Sequence, residues 1–526
     1  MLRSHIFPDP TGRFLHDVVL ESCRRNPGKV ALVDTSCDRR LTCAEYADLV
    51  ESLARGLVSA GMRPGEIVAI FLPNSWEFAV AYHAATLARG IPTLLNPAYR
   101  EREVRYQLDN SDAAFLITSA PLIEGINLAG LPKLRRVFTT RQEAAGSEPF
   151  DSLLHPSLSA KLPPPANDSA QTIAALPYSS GTTGLPKGVM LSHHNLVANV
   201  FQLISPGAVM LNDADVMLCF LPLYHIYGLT VGLTLSLVLG MKLVLMPRFD
   251  LQKLCALAVQ EDVTFIPMVP PAINALCQAA TAGAFPKNHR IRWIKSGAAP
   301  LAPELARRLS DLTGITVNQG YGMTEASPVT HVGYCAPPEM NRPASIGQPL
   351  ALTDCRILDL NDQEVAPGEP GELVMRGPQF MLGYWKEPQA TAAVLRDGWY
   401  YSGDIVRMDA DGFYYVLDRR KEMIKYKGFP VAPAEVESVL LEHPAVRDCG
   451  VVAKPDPDAG EIPCAFVVLR ENFAASTALE GELRGFVADR LAHHKQPREV
   501  HFVDAVPRTP SGKVLRRELR RTFVSG

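Results

Sequence analysis

Short apolar runs alternate with helical stripes between residues 42 and 95, and this alternation restricts the possible folds more than any other feature of the chain. Thr42 and Glu45 have the spacing of a capping box. After them Tyr46, Leu49, Val50, Leu53, Ala54 and Leu57 recur at helical intervals. Gly61 and Gly65 turn the chain, residues 67–72 suit a buried strand, residues 75–88 are helical again, and residues 91–95 suit a second strand. Strand, helix and strand in that order predict a parallel sheet with helices on its faces. The pattern returns further on. Residues 243–246, 263–268 and 291–295 read as strands, and residues 251–260, 271–280 and 303–312 as helices. The expected fold is α/β, with a large N-terminal domain of two similar α/β subdomains facing each other.

From about residue 350 short strand-like runs (356–358, 372–376, 413–417) alternate with the turn pairs Pro367-Gly368, Asp397-Gly398 and Asp411-Gly412, which predicts a small β-rich subdomain. Beyond Asp418 a basic segment, RRKEMIKYKG, opens a unit with helices expected over 434–441, 479–492 and 513–521 and strands over 446–452, 465–469 and 500–503. That is enough for an α+β domain of its own. A chain of 526 residues accommodates such a division, and the expected domains are 1–418 and 419–526.

Charge and cysteine usage exclude several classes. The net charge of −3 offers no electrostatic reason for nucleic acid. The ten cysteines include no C-x-x-C pair and read as reduced thiols, neither a disulfide frame nor a zinc site. The first residues carry no apolar signal segment and the last four, FVSG, are not a peroxisomal signal, so a cytoplasmic location is expected. Residues 216–241 contain no Lys, Arg, Asp or Glu. Pro222, Gly228, Gly232 and Gly240 interrupt them, and they read as a buried core segment, not a membrane span.

The chemistry concentrates in residues 178–189, YSSGTTGLPKGV. Glycine, proline and short hydroxyl residues favour turns, so no good helix or central strand is expected there. The stretch offers bare backbone N–H groups, hydroxyl donors and one ammonium, Lys187, a set suited to a polyphosphate. It is not a Walker A loop, because Lys187 is followed by Gly188 and Val189; an ordinary surface loop is the bland alternative. Residues 191–201 behind it can form a helix, and the proline-rich residues 156–170 before it read as a linker. In QGYGMTE, residues 319–325, Thr324 and Glu325 set a hydroxyl beside a carboxylate, suited to phosphate and Mg²⁺, and Tyr321 offers a flat ring; a structural turn would explain the same residues. Asp404, ending YSGD, has acceptors for two ribose hydroxyls or is an Asp in a turn. His225 lies in the apolar LPLYHIYG, where a satisfied core histidine is the plainer reading. Lys513, after a Pro-Ser-Gly turn, could be one more solvated charge.

Taken in order, SSGTTGLPKGV, LPLYHIYG, GYGMTEA, YSGD, DRRKEMIKYKGFPVAPAEVE and PRTPSGK resemble the adenylate-forming superfamily of acyl- and aryl-CoA synthetases, luciferases and peptide-synthetase adenylation domains. The resemblance covers essentially the whole chain and is nearest to 4-coumarate–CoA ligases and related acyl-CoA synthetases. It implies two half-reactions: a carboxylate attacks the α-phosphate of ATP and releases pyrophosphate, then the thiol of CoA attacks the acyl-adenylate and releases AMP. It further implies that Ser179, Ser180, Gly181, Thr182, Thr183 and Lys187 hold the β- and γ-phosphates. Ala298, Ala299, Pro300, Gln319, Gly320, Tyr321 and Gly322 would flank adenine, Thr324 would touch the α-phosphate, Glu325 would hold Mg²⁺, and Asp404 and Arg419 would bind ribose. Lys513 matches the adenylation lysine, His225 the gate between the carboxylate site and the CoA tunnel, and Lys421 the hinge about which a mobile C-terminal domain swings. Lys425 should face the site in the thioester-forming state, and Arg248, Lys427 and Gly428 match CoA contacts.

By the same resemblance the acyl pocket is lined by Tyr227, Met268, Val269, Gly297, Ala298, Met323, Ser327, Pro328 and Val329. They are mostly small or apolar, which suits an apolar monocarboxylic acid. An aryl or phenylpropanoid acid is favoured, with a medium- or long-chain fatty acid next. Pro430 departs from the pattern, standing where the coumarate and luciferase branches usually carry glutamine; it has neither a backbone N–H nor a side-chain amide to offer a nucleotide. The competing readings are a ligase that loads a carrier protein's phosphopantetheine, a luciferase-like oxygenase, and a nucleotide-binding scaffold without catalysis. Retention of both Lys187 and Lys513 speaks against the last.

Overall fold

The computed structural model describes residues 8–157, 160–179, 185–205, 208–333, 341–359, 361–419, 422–427, 429–508, 512 and 514–521, with the backbone only at 419, 425, 429 and 430. The first alternating series forms a five-stranded parallel sheet. Its strands lie in the order Ile91–Leu94, Ile67–Phe71, Ala113–Ser119, Arg136–Thr140, Glu148–Pro149. The strand Ile67–Phe71 is buried along its whole length, as a run of apolar residues covered on both faces must be. Helix Cys43–Ser59 starts at the Thr42–Glu45 capping box, with both reciprocal hydrogen bonds made. Helix Trp76–Leu87 starts at Ser75, whose hydroxyl accepts from the Phe78 N–H.

The second series forms a nine-stranded sheet. Its central strands are parallel: Thr316–Gly322, Trp293–Ser296, Phe265–Met268, Val216–Cys219, Lys242–Leu245 and Val30–Asp34. The strand Val30–Asp34 comes from the N-terminal series yet pairs with Lys242–Leu245, tying the two series together. Residues 216–241 are a core segment, with strand Val216–Cys219 followed by a π-helix, Tyr227–Thr234, and the short helix Leu235–Leu239. A Cβ at Gly228 would lie 2.3 Å from the Pro222 carbonyl, and one at Gly232 2.6 Å from Cys219 Sγ, so both glycines let the helix close onto its own strand. Among the described residues no helix is long and apolar enough to cross a membrane.

Residues 354–419 form a five-stranded antiparallel sheet around Gly371–Arg376 and Trp399–Met408. From Ile424 onward a separate core gathers Ile424, Val436, Leu440, Val451, Val467 and Leu483. It fills the space between helices Pro433–Glu442 and Thr477–Ala488 and a sheet of Phe429–Val431, Ile424–Tyr426, Gly460–Leu469, Val446–Asp456 and Glu499–Phe502.

Several local expectations are corrected. The glycine-rich stretch is flanked by strands, Tyr178–Ser179 and Lys187–Ser192, which pair with each other. Leu191 and Ser192 pair with Ala175 and Ile173, so the following helix begins later, at His193, with Ser192 as its cap. Gln319 to Gly322 are the end of strand Thr316–Gly322 itself, and Asp404 lies within strand Trp399–Met408, where Gly403 at φ 71° makes a bulge. The C-terminal helix is Arg516–Arg521, shorter than its basic pattern suggests.

Candidate active site

The parallel strands of the nine-stranded sheet end side by side. Met268 is in register with Ser296, and Ser296 with Gln319, which places the carboxyl ends of three strands along one line. Ligands of α/β sheets bind outside such carboxyl ends. Tyr227 closes one side: its hydroxyl donates to the Lys295 carbonyl at 2.9 Å, and a Cβ on Gly297 would come within 2.9 Å of its ring. The Gly297 N–H donates to the Met268 carbonyl. On the other side the chain folds back tightly after Gly322. A Cβ there would lie 2.0 Å from the Pro328 carbonyl, and the Met323 N–H donates to that same oxygen. Asn199, in helix His193–Ile204, receives the Val329 N–H and donates to the Val329 carbonyl, fixing this wall. The structure thus brings together Tyr227, Met268, Gly297, Gly322, Met323, Pro328 and Val329, residues spread over a hundred positions of sequence.

Next to them Ala298 stands at φ 70°, in the left-handed region, starting the exposed loop with Ala299 and Pro300. The Leu301 N–H donates to Gln319 Oε1, pinning this loop to the strand end. The hydroxyl of Tyr321 donates to Asp404 Oδ2, and Asp404 lies opposite Arg419 in the antiparallel sheet.

The carboxylate of Glu325 is buried. Its Oε1 accepts from the hydroxyls of Ser179 at 3.2 Å and Tyr384 at 2.8 Å. Among the described residues Oε2 has no hydrogen-bond partner. A buried carboxylate whose hydrogen bonds from the described residues fall on one oxygen is a fitting ligand for a hard divalent cation. Lys187 begins its strand with the ammonium 5.4 Å from the centre of the Tyr384 ring. Tyr384 carried no signal in the sequence, since it lies far along the chain from both groups it touches.

His225 lies two residues before Tyr227, and burial lowers its pKa to about 4 and keeps the imidazole neutral. Its Nδ1 accepts from the Tyr227 N–H at 3.2 Å. Asn74 braces the loop before it, donating to the Leu221 and Met246 carbonyls and accepting from the Leu223 N–H. Asn74, like Asn199, went unmarked in the sequence because each acts through backbone groups of a distant segment. Arg248 is exposed and makes no hydrogen bond or ion pair with another described residue.

Lys427 is exposed at φ 48°, and Lys425 lies on strand Ile424–Tyr426. Ser180, Gly181, Thr182, Thr183, Lys421, Gly428 and Lys513 lie outside the described residues, as do the side chains of Arg419, Lys425 and Pro430. Gly512, immediately before Lys513, sits at φ 85° against Pro271, where a Cβ would lie 2.9 Å from the ring. Pro271 is the second residue of helix Pro270–Thr281, which directly follows Met268 and Val269. Gly512, next to Lys513 in the chain, is therefore packed just beyond the end of strand Phe265–Met268.

A family model described as AMP-binding enzyme matches residues 19–385, and its companion, AMP-binding enzyme C-terminal domain, matches residues 435–513. The chain is 38% identical over 521 residues to 4-coumarate–CoA ligase 5 of Oryza sativa subsp. japonica, covering 97% of this chain and 95% of that one. A solved benzoate–CoA ligase from Burkholderia xenovorans superposes with a TM-score of 0.86 at 27% identity, covering 97% of this chain and 100% of that one. An o-succinylbenzoate–CoA synthetase from Bacillus subtilis, solved with ATP and magnesium ion, superposes with a TM-score of 0.80 at 30% identity, covering 95% and 98%. With both family models matched in order and the relationship running nearly end to end, the chain belongs to the AMP-binding enzyme family and is an AMP-forming acid–CoA ligase that uses ATP, Mg²⁺ and CoA.

Proposed function

We propose that the acid activated by this enzyme is an aryl or phenylpropanoid acid. The observation that carries this is the packing of Tyr227 against Gly297, which sets an aromatic ring close to a strand end with no side chain between. A planar substrate gains most from such a flat apolar face. The substrates named in the related ligases, 4-coumarate and benzoate, support the same class. Within the pocket Met268, Val269, Met323, Ser327, Pro328 and Val329 supply apolar or small surface and no charge to read a second carboxylate.

In this reading the loop from Ser179 to Thr183 and Lys187 bind the β- and γ-phosphates, Ala298 to Pro300 and Gln319 to Gly322 border adenine, and Asp404 and Arg419 take the ribose hydroxyls. Glu325 would hold Mg²⁺, which supplies charge neutralisation on the phosphates. Thr324 and Lys513 face the α-phosphate, where the attacking carboxylate and the phosphate bring two anions together; a fixed cation there offsets the charge that builds up at phosphorus. His225, neutral at physiological pH, gates the passage to CoA, and Arg248, Lys427 and Gly428 receive CoA. The domain division is at 418/419 with Lys421 as hinge, and the reaction is placed in the cytoplasm.

The test is pyrophosphate release with ATP, Mg²⁺ and CoA across two acid series, one from benzoate to cinnamate and coumarate, the other from hexanoate to palmitate. The aromatic series is expected to give the higher kcat/KM. Activity that climbs with chain length instead would assign a fatty acyl-CoA synthetase with a pocket open at its far end. Thioester formation with a holo carrier protein but not with free CoA would assign a loading ligase.

A second prediction separates the two half-reactions. Lys425→Ala is expected to slow thioester formation from a pre-made acyl-adenylate more than it slows pyrophosphate release. Rapid-quench measurement of each half-reaction checks this, and unaltered thioester formation would remove Lys425 from the second step.

A further inference from the structure

Lys187 and Glu325 pose a problem that the roles given above do not answer. Both face the place where polyphosphate and metal must bind, and a lysine and a carboxylate in one site attract each other. A direct ion pair would occupy both the cation meant for phosphate and the oxygen meant for the metal. No such pair forms: among the described residues Lys187 makes no ion pair, and Tyr384 lies between the two groups. Its ring presents a π-face to the Lys187 ammonium at 5.4 Å, and its hydroxyl donates to Glu325 Oε1 at 2.8 Å. One carboxylate oxygen is thereby satisfied, while Oε2 has no hydrogen-bond partner among the described residues.

The backbone around Tyr384 is fastened to both partners. Gly383 and Tyr384 pair with Met190 and Val189 of the strand that Lys187 begins, and the Trp385 N–H donates to the Gly188 carbonyl at 2.8 Å. The Met381 N–H donates to the Glu325 carbonyl at 2.8 Å. The Tyr384 N–H donates to Thr391 Oγ1 at 2.8 Å. The side chain is largely buried at 9% exposure, so the ring has little freedom to leave. Five consecutive residues, 381–385, thus hold the phosphate lysine and the metal carboxylate in one arrangement.

We propose that Tyr384 is a positioning residue of the adenylation step, keeping Lys187 and Glu325 apart and oriented so that each can meet its own part of the Mg²⁺·ATP pair. This rests on the assignment of Lys187 to phosphate and Glu325 to Mg²⁺ made above. Because the hydroxyl serves the carboxylate and the ring serves the lysine, the two halves of the side chain have separable effects. Tyr384→Phe keeps the ring and removes the hydroxyl. Tyr384→Leu removes both.

The experiment is calorimetric titration of ATP into the full-length enzyme with and without Mg²⁺, alongside Mn²⁺ electron paramagnetic resonance in the presence of ATP and without the acid substrate. Tyr384→Phe is expected to weaken ATP binding about tenfold with Mg²⁺ present, to leave it nearly unchanged with Mg²⁺ absent, and to broaden the bound Mn²⁺ signal. Tyr384→Leu is expected to weaken metal-free ATP binding as well, by about threefold. Thr391→Val, which removes the hydroxyl that accepts from the Tyr384 N–H and donates to the Glu387 carbonyl, should move the Mg²⁺ response in the same direction by a smaller factor, and it carries the comparison should the position-384 variants fail to fold. A Mg²⁺ response of Tyr384→Phe equal to the parent's would overturn the proposal, as would equal loss with and without the metal. Glu325→Gln distinguishes failure of the underlying assignment: if it leaves the Mg²⁺ response intact, the metal is not at Glu325.

Discussion

Alanine at position 513 is expected to slow acyl-adenylate formation by about 10²–10³-fold, the effect typical of removing one preorganised charge-stabilising group. The reaction of a pre-made acyl-adenylate with CoA should survive, because that step breaks the bond to phosphate and no longer brings two anions together. The expectation rests on two observations of different kinds. PRTPSGK is similar to the family's lysine motif, and Gly512 is packed against Pro271 just beyond the end of strand Phe265–Met268. Single-turnover pyrophosphate release and thioester formation, measured separately, give the comparison. Equal loss in both half-reactions would mean that the lysine supports the fold or the docking of the C-terminal unit and not the chemistry of one step.

The second large effect is on stability in acid. Burial lowers the pKa of His83 and of His331 from the ordinary 6.5 to about 3, and that of His16 to about 4. His83 is surrounded by Tyr46, Tyr82 and His16, and His331 by Thr330, Tyr321, Tyr414 and Cys355; among the described residues no carboxylate contacts either ring. An imidazole whose pKa is depressed by folding binds protons better when unfolded, so its stabilising share is full above pH 6.5 and falls as the pH drops towards the folded value. At pH 5 each of the three costs about 2 kcal/mol relative to neutral pH, together about 6 kcal/mol, comparable to the whole stability of many domains. Thermal melts at pH 7.5, 6.5 and 5 should show a steep loss below 6.5. His331→Phe, which places an uncharged ring among the same tyrosines, should flatten that slope by about one proton. A slope that the substitution leaves untouched would show that His331 does not titrate in this window.

Much of this enzyme was readable from its residues because the relevant signals are local. The Thr42–Glu45 capping box, the stripe from Tyr46 to Leu57 and the fully buried run at residues 67–71 each act within a few positions of themselves, so pattern and structure agree. The phosphate stretch was also visible as chemistry. Its flanking strands were not, because the pairing of Leu191 with Ala175 and of Val189 with Tyr384 is decided by partners from other segments. Gly403 illustrates the same limit: S-G-D reads as a turn, but the sheet absorbs the glycine as a bulge and keeps Asp404 on a strand facing Tyr321.

The amino-acid order by itself determined the alternating α/β plan, the presence of a separate C-terminal unit and the set of polar groups available for a nucleotide. Each depends on periodicity or on residue type within one short window. Only tertiary structure decided that Val30–Asp34 joins the later sheet, that Asn74 and Asn199 brace the loops around the pocket, and that Tyr384 stands between Lys187 and Glu325. These contacts join residues far apart in the chain. Their energies come from burial and from hydrogen bonds to distant backbone groups, and no spacing within a window of sequence encodes either.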